Sequence, residues 1–422
     1  MEPDIKSVQD IVDDLKQKLG FDFNRPYLSP DKLKGKLDTG QNGFRDETIR
    51  FIQSLRKGMS RTLPLKDSED RHFHYTVTSE IEEYLHHIDM EFTDYFSRPI
   101  GKGEEKLQVI ELLRDSMIEE PHYSCAISGD TCKLRRARDI IKKDLSPKDT
   151  QEQAMLNHYE AMNYIYDTKK QVLDKKMLLT LHEKLCHETL DETDRPYIGK
   201  LRKRDNLGVK DKAGGEILYH PPSHRMINRL LKDLTDWLNQ SEPFIHPVIK
   251  ASIAHYYLSH IHPFVDGNGR VARALFHRCL LGSYDLVRYL SISSIIHKHM
   301  KHYYRAFQNV TDNENDLTYF IIFSVKVLYR ALMAFRDRMS GDFWWSVVEK
   351  RIEKENLRLN KRQIKLLRGI ARKDYDKISV EAAQKVTRVV YKTARKDLNE
   401  LVDLKLLSKK KRGRKHYYFQ QR

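Results

Sequence analysis

The chain has 422 residues, of which 40% are hydrophobic, and its formal net charge is +16. This length is sufficient for two or three domains, each with its own hydrophobic core. We find no stretch apolar enough to span a bilayer, no signal peptide at the N-terminus and no cysteine spacing typical of a disulfide scaffold. P-loop, zinc-helix and serine-nucleophile motifs are absent as well. We therefore expect a cytoplasmic protein without a membrane partner.

The first 120 residues predict a helical N-terminal domain. Helix-like stretches lie at residues 10–19, 44–55 and 76–95, and the last of these is acidic and ends before Ser97-Arg-Pro-Ile100. We expect this domain to pack on a second domain at residues 121–350, which carries the chemistry.

Two short strands joined by a polar, glycine-containing loop are predicted between residues 199 and 219. Gly199-Lys-Leu-Arg202 and Asn206-Leu-Gly-Val209 form the first part, a Gly214-Gly215 turn follows, and Glu216-Ile-Leu-Tyr219 forms the second. Such a segment is a surface hairpin or a clamp for an extended peptide, and the residues alone leave both open.

The segment His262-Pro-Phe-Val-Asp-Gly-Asn-Gly-Arg-Val-Ala-Arg273 concentrates groups that can bind and react with phosphates. Pro263 disfavours helical geometry at the preceding residue, so the apolar helix predicted at residues 247–261 should end at the histidine. Gly267 and Gly269 allow a turn that opens a helix at residues 270–281 and leaves several backbone N–H groups free for an anion.

Charged side chains complete this pattern. Arg270 and Arg273 lie on one face of the predicted helix and can bind phosphate oxygens. Asp266 can hold Mg²⁺ beside a nucleotide, and His262 can accept a proton from a hydroxyl. The segment therefore indicates an enzyme that transfers a group from a nucleoside triphosphate. The alternative interpretation is a structural glycine turn between two core helices.

This segment resembles the signature of the Fic family, HxFx(D/E)GNGRxxR, at every defined position. The resemblance implies a mainly α, helical Fic fold whose members transfer AMP from ATP to a Ser, Thr or Tyr hydroxyl of a protein and release pyrophosphate. It also implies the following roles: His262 as general base, Asp266 as ligand of Mg²⁺, Asn268 with the Gly267 and Gly269 amides around the phosphates, and Arg270 and Arg273 at the β and γ phosphates.

Two further features follow from the resemblance. The predicted hairpin is similar to the flap that holds a target segment by strand addition in Fic proteins, here with Gly199, Leu201, Asn206, Leu207 and Gly208. Tyr303 and Tyr304 resemble aromatic residues that line the nucleotide pocket in the family, although buried tyrosines at a helix end are also common in a core.

Many Fic proteins carry an inhibitory helix with the pattern (S/T)xxxE(G/N), whose glutamate pairs with the second signature arginine. Residues 76–82 supply a glutamate but lack the following glycine or asparagine. The segment 121–142 fits better because it contains Ser124-Cys-Ala-Ile-Ser128-Gly129. Ser128 then occupies the glutamate position, and a neutral hydroxyl should hold Arg273 less tightly than a carboxylate. This predicts an enzyme that is partly or wholly released from inhibition.

The positive charge is concentrated near the C-terminus. Residues 351–422 contain 23 Lys+Arg and 8 Asp+Glu, a net charge of +15, so the remaining 53 Lys+Arg and 52 Asp+Glu nearly cancel. Three helices are predicted in this region, at residues 362–370, from Ser379 as N-cap, and at residues 389–401. Two short strands follow at residues 404–407 and 416–419, and a basic turn joins them.

Residues 356–422 resemble a winged helix-turn-helix, a fold that binds duplex DNA or docks other proteins. Arg388, Lys392, Arg395 and Lys396 on the third helix would face DNA, while Val390, Ala394, Leu398 and Leu401 would face the core.

The sequence thus leaves two functions of different classes. In the first, the protein is an adenylyltransferase that modifies a target protein, or itself. In the second, it is a DNA-binding regulator whose Fic core senses a nucleotide. Transfer of another group, removal of AMP and homo-oligomer formation also stay open.

Overall fold

A computed structural model of the chain describes residues 8–20, 22–37, 42–96, 104–205, 209–210, 217–371, 377–412 and 415–420. The fold is mainly α, as the sequence predicts. The chain forms two compact units, one of residues 1–99 with 114–331 and the other of residues 100–113 with 332–422. The expected boundary near residue 120 lies inside a helix, Glu104–Ser128, and residues 1–99 belong to the same unit as the signature segment.

The first unit begins with three helices and a two-stranded antiparallel sheet. Their bounds are α1 Val8–Leu19, α2 Pro30–Lys36, α3 Asn42–Gly58, β1 Arg61–Lys66 and β2 His72–Tyr75. Apolar side chains from α1, α2 and α3 form one cluster, which includes Val12, Leu33 and Ile52. The N-terminal residues are joined to the rest of this unit, since the Tyr27 hydroxyl donates to Asp316 at 2.7 Å and the Tyr257 hydroxyl donates to the Lys66 carbonyl at 2.8 Å.

Helices and one short hairpin make up the remaining elements of the first unit, which includes α5 only from residue 114 onward. Their bounds are α4 Ser79–Phe96, α5 Glu104–Ser128, α6 Leu134–Lys143, α7 Thr150–Asp167, α8 Lys175–Cys186, β3 Val209–Lys210, β4 Ile217–Tyr219, α9 Ile227–Leu238, α10 Pro247–Ile261, α11 Asn268–Leu280, α12 Ile292–Lys298 and α13 Met300–Asp312. A long helix, α14, has the bounds Thr318–Lys354.

Helices α10 and α11 form the centre of the first unit, and almost every side chain of both is buried. A helix that is enclosed by other elements buries side chains on every face, and α10 does so with apolar residues and with Ser252, His255 and His260. Both helices were predicted from the sequence, with α11 starting two residues earlier than expected.

One helical segment is more apolar than we expected from the sequence. Thr318–Met339 of α14 has a mean hydropathy of 1.5 in an 18-residue window and is long enough to cross a membrane. Because 67% of that window is buried within the protein, the segment has the character of a core helix.

The hairpin differs from the prediction at its first strand. β3 begins at Val209 and pairs antiparallel with β4, Val209 opposite Tyr219 and Lys210 opposite Ile217. Residues 199–202 form no strand, because their backbone groups bond elsewhere: the Gly199 N–H donates to His182 and the Arg202 N–H donates to the Pro263 carbonyl.

The second unit ends in three helices and a three-stranded sheet. Their bounds are α15 Lys361–Ala371, β5 Ile378–Ser379, α16 Val380–Thr387, α17 Tyr391–Asp403, β6 Leu407–Arg412 and β7 Lys415–Gln420, and the strand order is β5-β7-β6. Leu366, Ala394, Leu398 and Tyr418 contribute to its core. The Ser379 hydroxyl caps α16 by accepting from the Ala382 N–H, as predicted.

Three details of the second unit differ from the sequence-based prediction. Arg388 lies in the turn before α17, in a left-handed conformation that caps α16, and not on the third helix. Val390 is 67% exposed because it precedes the first turn of α17 and its backbone is extended. The basic residues from Lys409 to Arg412 belong to β6 and not to a turn, since each of them pairs with β7.

Candidate functional site

The residues between α10 and α11, 262–267, form a tight turn that we call the catalytic turn. His262 ends α10 in a left-handed conformation, with φ 49° and ψ 59°, as the following proline predicts. Gly267 precedes α11 at φ 77°. The turn therefore brings the histidine to the end of one helix and the start of the next, where the first N–H groups of α11 lack intrahelical acceptors.

The two glycines of the signature have different roles. A Cβ on Gly267 would lie 2.5 Å from the Cys186 Sγ, so a close approach as well as the positive φ requires glycine there. Gly269 lies within α11 and needs no left-handed backbone, contrary to the sequence interpretation. Its missing Cβ makes room for Arg273 instead, whose Nη1 would be 3.0 Å away.

The Asn268 side chain closes the catalytic turn on itself. Its Oδ1 accepts from the Phe264 N–H and its Nδ2 donates to the Phe264 carbonyl, both at 2.9 Å. Because the side chain is engaged in this way, a contribution of Asn268 to a phosphate site would come from its backbone N–H.

His182 on α8 is a site residue that sequence reasoning missed. Its Nδ1 accepts from the Gly199 N–H at 3.0 Å, so the other ring nitrogen, Nε2, carries the proton and donates to the Asp266 carbonyl at 3.1 Å. The ring also stacks on Phe264. A single histidine on a helix gives no spacing signal, and only the fold brings it to the turn.

The environment of His262 favours the neutral form of its imidazole. Removal of water from around the ring lowers its pKa to about 4, and the nearby Arg202 guanidinium contributes to this lowering. A hydrogen bond with the Ser259 backbone opposes this shift. A ring N–H that donates to that backbone leaves the second ring nitrogen unprotonated, which is the form that can accept a proton.

Carboxylates surround Arg270, which is buried. Its Nη2 lies 3.2 Å from Asp266 Oδ2, and its Nη1 lies 3.6 Å from Asp130 Oδ2. Asp266 itself is largely exposed, with 63% of its side chain accessible. In the part of the chain that the structure describes, no group of three or more His, Cys, Asp or Glu residues could hold a metal by itself.

Arg273 contacts the end of α5. Its Nε donates to the Ser124 hydroxyl at 2.8 Å, and its Nη2 donates to the Ser124 carbonyl at 2.8 Å and to the Ser128 hydroxyl at 2.7 Å. The segment chosen from the sequence as inhibitory-like thus meets the second signature arginine. In the alternative stretch, Glu80 pairs with Lys326 instead, at 2.7 Å.

The two tyrosines occupy different environments. Tyr303 is buried, and its hydroxyl contacts both the Arg273 side chain and His255 Nε2, the latter at 2.9 Å. Tyr304 is half-buried, with its ring 5.5 Å from that of Tyr303. Tyr303 therefore supports Arg273 from the core.

Of the residues that the resemblance assigns to the flap, the structure describes Gly199 and Leu201. Gly199 bonds to His182, and Leu201 is half-buried and follows it closely in the sequence. Asn206, Leu207 and Gly208 lie outside the described residues.

Comparison with known families agrees with this geometry. Residues 172–280, from just before α8 to the end of α11, match the Fic/DOC family. The chain contains a Fic domain. The match includes His182, the hairpin and the whole catalytic turn, and it leaves both ends of the chain outside.

Curated relatives of the Fic domain carry one name. "Protein adenylyltransferase Fic" from Aedes aegypti is 30% identical over 264 residues, which are 60% of this chain and 49% of the relative. The protein of the same name from Culex quinquefasciatus is 32% identical over 227 residues, 52% of this chain and 41% of the relative. The chain thus spans less than half the length of these relatives.

Solved structures share the Fic fold at lower identity. A Fic family protein from Desulfovibrio desulfuricans aligns with a TM-score of 0.51 and 22% identity, over 82% of this chain and 98% of the other. Residues 134–508 of Fic-1 from C. elegans align with a TM-score of 0.53 and 18% identity, over 79% and 88%. These matches concern the fold.

Proposed function

We propose that the protein is an adenylyltransferase that transfers AMP from ATP to a Ser, Thr or Tyr hydroxyl of a target protein. The observation that carries this proposal is the catalytic turn, where a neutral histidine adjoins a helix N-terminus and two buried arginines on the same helix. The name of the curated relatives supports it.

The reaction follows from these groups. The acceptor oxygen attacks the α-phosphorus while the unprotonated nitrogen of His262 takes the hydroxyl proton. The bond between the α-phosphorus and the bridging oxygen breaks, and pyrophosphate leaves with that bond's electrons. Positive charge from Arg270 and Arg273, together with the first N–H groups of α11, stabilises the negative charge that builds on the phosphates.

Asp266 would hold Mg²⁺ in this proposal. It is the exposed carboxylate of the turn, and Mg²⁺ in nucleotide sites usually takes one or two carboxylates and completes its shell with phosphate oxygens and water. When bound, the ion neutralises phosphate charge.

The hairpin of β3 and β4 is the proposed site for the target segment. It is antiparallel and two-stranded, so a segment in extended conformation can add to it through main-chain hydrogen bonds. Tyr219 anchors its second strand, since the Tyr219 hydroxyl lies 2.8 Å from His260 Nδ1 on α10.

Incubation with each labelled nucleoside triphosphate and Mg²⁺ tests the proposal. We expect label from ATP on a lysate protein or on the enzyme itself, and none with His262→Ala. Label that persists in His262→Ala would contradict the base assignment. An absence of label with every nucleotide, together with nucleotide binding in calorimetry, would favour the nucleotide-sensing regulator.

We propose DNA binding as a second activity, located in the C-terminal helices and sheet, which would act as a winged helix. Helix α17 has two faces: Ala394, Leu398 and Leu401 are buried, while Lys392 and Arg395 are exposed. The nearby strand β6 adds exposed Lys409, Lys410 and Lys411. A helix with this division and a basic hairpin beside it suit a duplex groove and its phosphates.

Salt dependence tests this second activity. Fluorescence anisotropy of the full chain with duplex DNA should show an affinity that falls with salt, and each lost phosphate contact should reduce the slope by about 0.9. Lys392→Ala and Arg395→Ala should weaken binding, whereas Lys361→Ala, an exposed lysine on α15, serves as the control. No binding at low ionic strength would exclude the activity.

A further inference from the structure

Arg202 is a buried arginine that the proposed reaction does not use. Its side chain is 1% exposed, although it lies in the segment that leads to the hairpin. A guanidinium away from water is tolerated only when its N–H groups are bonded, so its partners show what it holds together.

The catalytic turn supplies two of these partners. Arg202 Nε donates to the His262 carbonyl at 2.8 Å, and the Arg202 backbone N–H donates to the Pro263 carbonyl at 2.9 Å. His262 is held at φ 49°, a conformation that costs about 1 kcal/mol or more for a residue with a Cβ. The bond to its carbonyl stabilises this conformation.

The remaining partners lie on both sides of the hairpin. On the side before β3, Arg202 Nη1 donates to the Arg204 carbonyl at 2.9 Å and to Asp205 Oδ1 at 3.0 Å. On the side after β4, Arg202 Nη2 donates to the Pro222 carbonyl.

Asp205 closes this ring of contacts. Its Oδ2 accepts from the Ser223 hydroxyl at 2.8 Å, and its Oδ1 accepts from the His224 N–H. The residues before and after the hairpin are therefore bonded to each other as well as to Arg202. One guanidinium connects the hairpin base to the backbone of the histidine.

We propose that Arg202 is a positioning residue that fixes the His262 turn relative to the base of the hairpin. An acceptor hydroxyl held on the hairpin then meets the imidazole in one geometry. The inference rests on the proposed function, because it assigns the hairpin to the target and His262 to the proton. Arg202 touches neither the nucleotide arginines nor Ser128 in its described contacts, so nucleotide binding should be largely independent of it.

Substitution of Arg202 tests the inference on rate and affinity. With Arg202→Met, we expect the rate of AMP transfer at saturating ATP to fall about 10- to 100-fold, since small misplacements of a reacting group have effects of this size. The dissociation constant for ATP should change less than about threefold on the same reasoning. Arg202→Lys, which keeps the charge but loses the fork of donors, should be intermediate.

A second measurement does not depend on activity. Both the charge of Arg202 and the enclosure of the ring lower the pKa of His262, so NMR titration of the imidazole should give a higher pKa in Arg202→Met than in the wild type. Arg202→Lys should leave it nearly unchanged. The same titration applies to an enzyme without transferase activity, which separates failure of this inference from failure of the proposed function.

Arg204→Met is the matched control. Arg204 belongs to the same segment, but its guanidinium pairs with Asp194 at 2.7 Å and packs on Tyr197. The transfer rate and the pKa of His262 in this variant should match those of the wild type.

Circular dichroism shows whether each variant is folded. If Arg202→Met does not fold, the transfer rate of Arg202→Lys tests the proposal instead. Wild-type transfer and an unshifted His262 pKa in folded Arg202→Met would overturn the proposal, and so would loss of both rate and ATP affinity, which would assign Arg202 a general structural role.

Discussion

At the scale of single residues, the backbone geometry of the catalytic turn explains two residues of the signature, Gly267 and His262. Gly267 combines a left-handed backbone with a close approach to Cys186, and His262 adopts the left-handed region although it carries a side chain. Proline after the histidine and glycine before α11 are visible in the sequence, so the turn could be predicted. The residues that hold the turn in place, His182 and Arg202, are isolated in the sequence, so their role could not be predicted.

Gly267→Ala should destabilise the protein and its site. The new Cβ would lie 2.5 Å from a buried Cys186 Sγ and would also strain the backbone, so we expect a loss of about 2–4 kcal/mol in the free energy of unfolding. Urea denaturation measures this loss. Gly282→Ala is the control, since a Cβ there meets nothing within 4 Å and should have little effect. Equal midpoints for the two variants would contradict the packing argument.

The pH dependence of transfer follows from His262. A base works only when it is unprotonated, and burial lowers the pKa of His262 to about 4, below the ordinary value of about 6.5. We therefore expect the single-turnover rate at saturating ATP to be nearly constant from about pH 6 to about pH 8. A rate that falls roughly tenfold between about pH 7 and pH 6 would show that the histidine is not the shielded base described here.

At the scale of elements, the end of α5 contacts Arg273 of α11, which the proposed reaction assigns to the phosphates. α5 presents two hydroxyls and a carbonyl to Arg273, and Asp130, just after α5, lies near Arg270. The hydrogen bonds to Arg273 are neutral on the acceptor side, so an incoming phosphate can replace them at lower cost than it could replace a carboxylate.

Ser128→Glu should inhibit the enzyme. A carboxylate at this position could form an ion pair with Arg273 and compete with the γ-phosphate, so we expect transfer to decrease about tenfold or more, which corresponds to about 1.4 kcal/mol. Ser128→Ala removes the hydroxyl without adding charge and should transfer at least as fast as the wild type. Initial rates at a fixed, subsaturating ATP concentration compare the three. Unchanged transfer in Ser128→Glu would refute the role assigned to this helix end.

Elements with a strong local pattern were predicted well, and those that depend on distant partners were not. The end of α10 follows from Pro263 and the start of α16 from Ser379, and both residues act on the adjoining backbone. The first hairpin strand was misplaced because residues 199–202 bond to α8 and to the catalytic turn, and this cannot be read from alternation of side chains.

At the scale of the whole molecule, buried histidines couple stability to pH. Burial lowers the pKa of His158 and His255 to about 3 and that of His182 and His260 to about 4, as for His262. In the unfolded chain these rings titrate near about pH 6.5, so between about pH 6.5 and pH 4 the unfolded state binds more protons than the folded state. Folding stability must therefore fall as the pH falls through this window.

Thermal unfolding between about pH 7 and pH 4.5 measures this effect. Each such histidine contributes up to about 1.4 kcal/mol per pH unit within the window, so the melting temperature should decrease steeply below about pH 6. His255→Phe, which removes one titrating ring from the core, should reduce the slope in proportion. A melting temperature that is constant from about pH 7 to pH 5 would show that these rings stay accessible to protons.

The sequence by itself determined that the chain is mainly helical, that residues 262–273 form a turn with a base and the groups that suit phosphate, and that the positive charge lies at the C-terminal end. These properties are local, because they depend on proline, glycine, helical periodicity and charge within short segments. Tertiary structure alone decided that Ser124 joins Ser128 on Arg273, that His182 and Arg202 hold the turn, and that Val390 is exposed. Each of these depends on how distant segments pack, so no short segment encodes them.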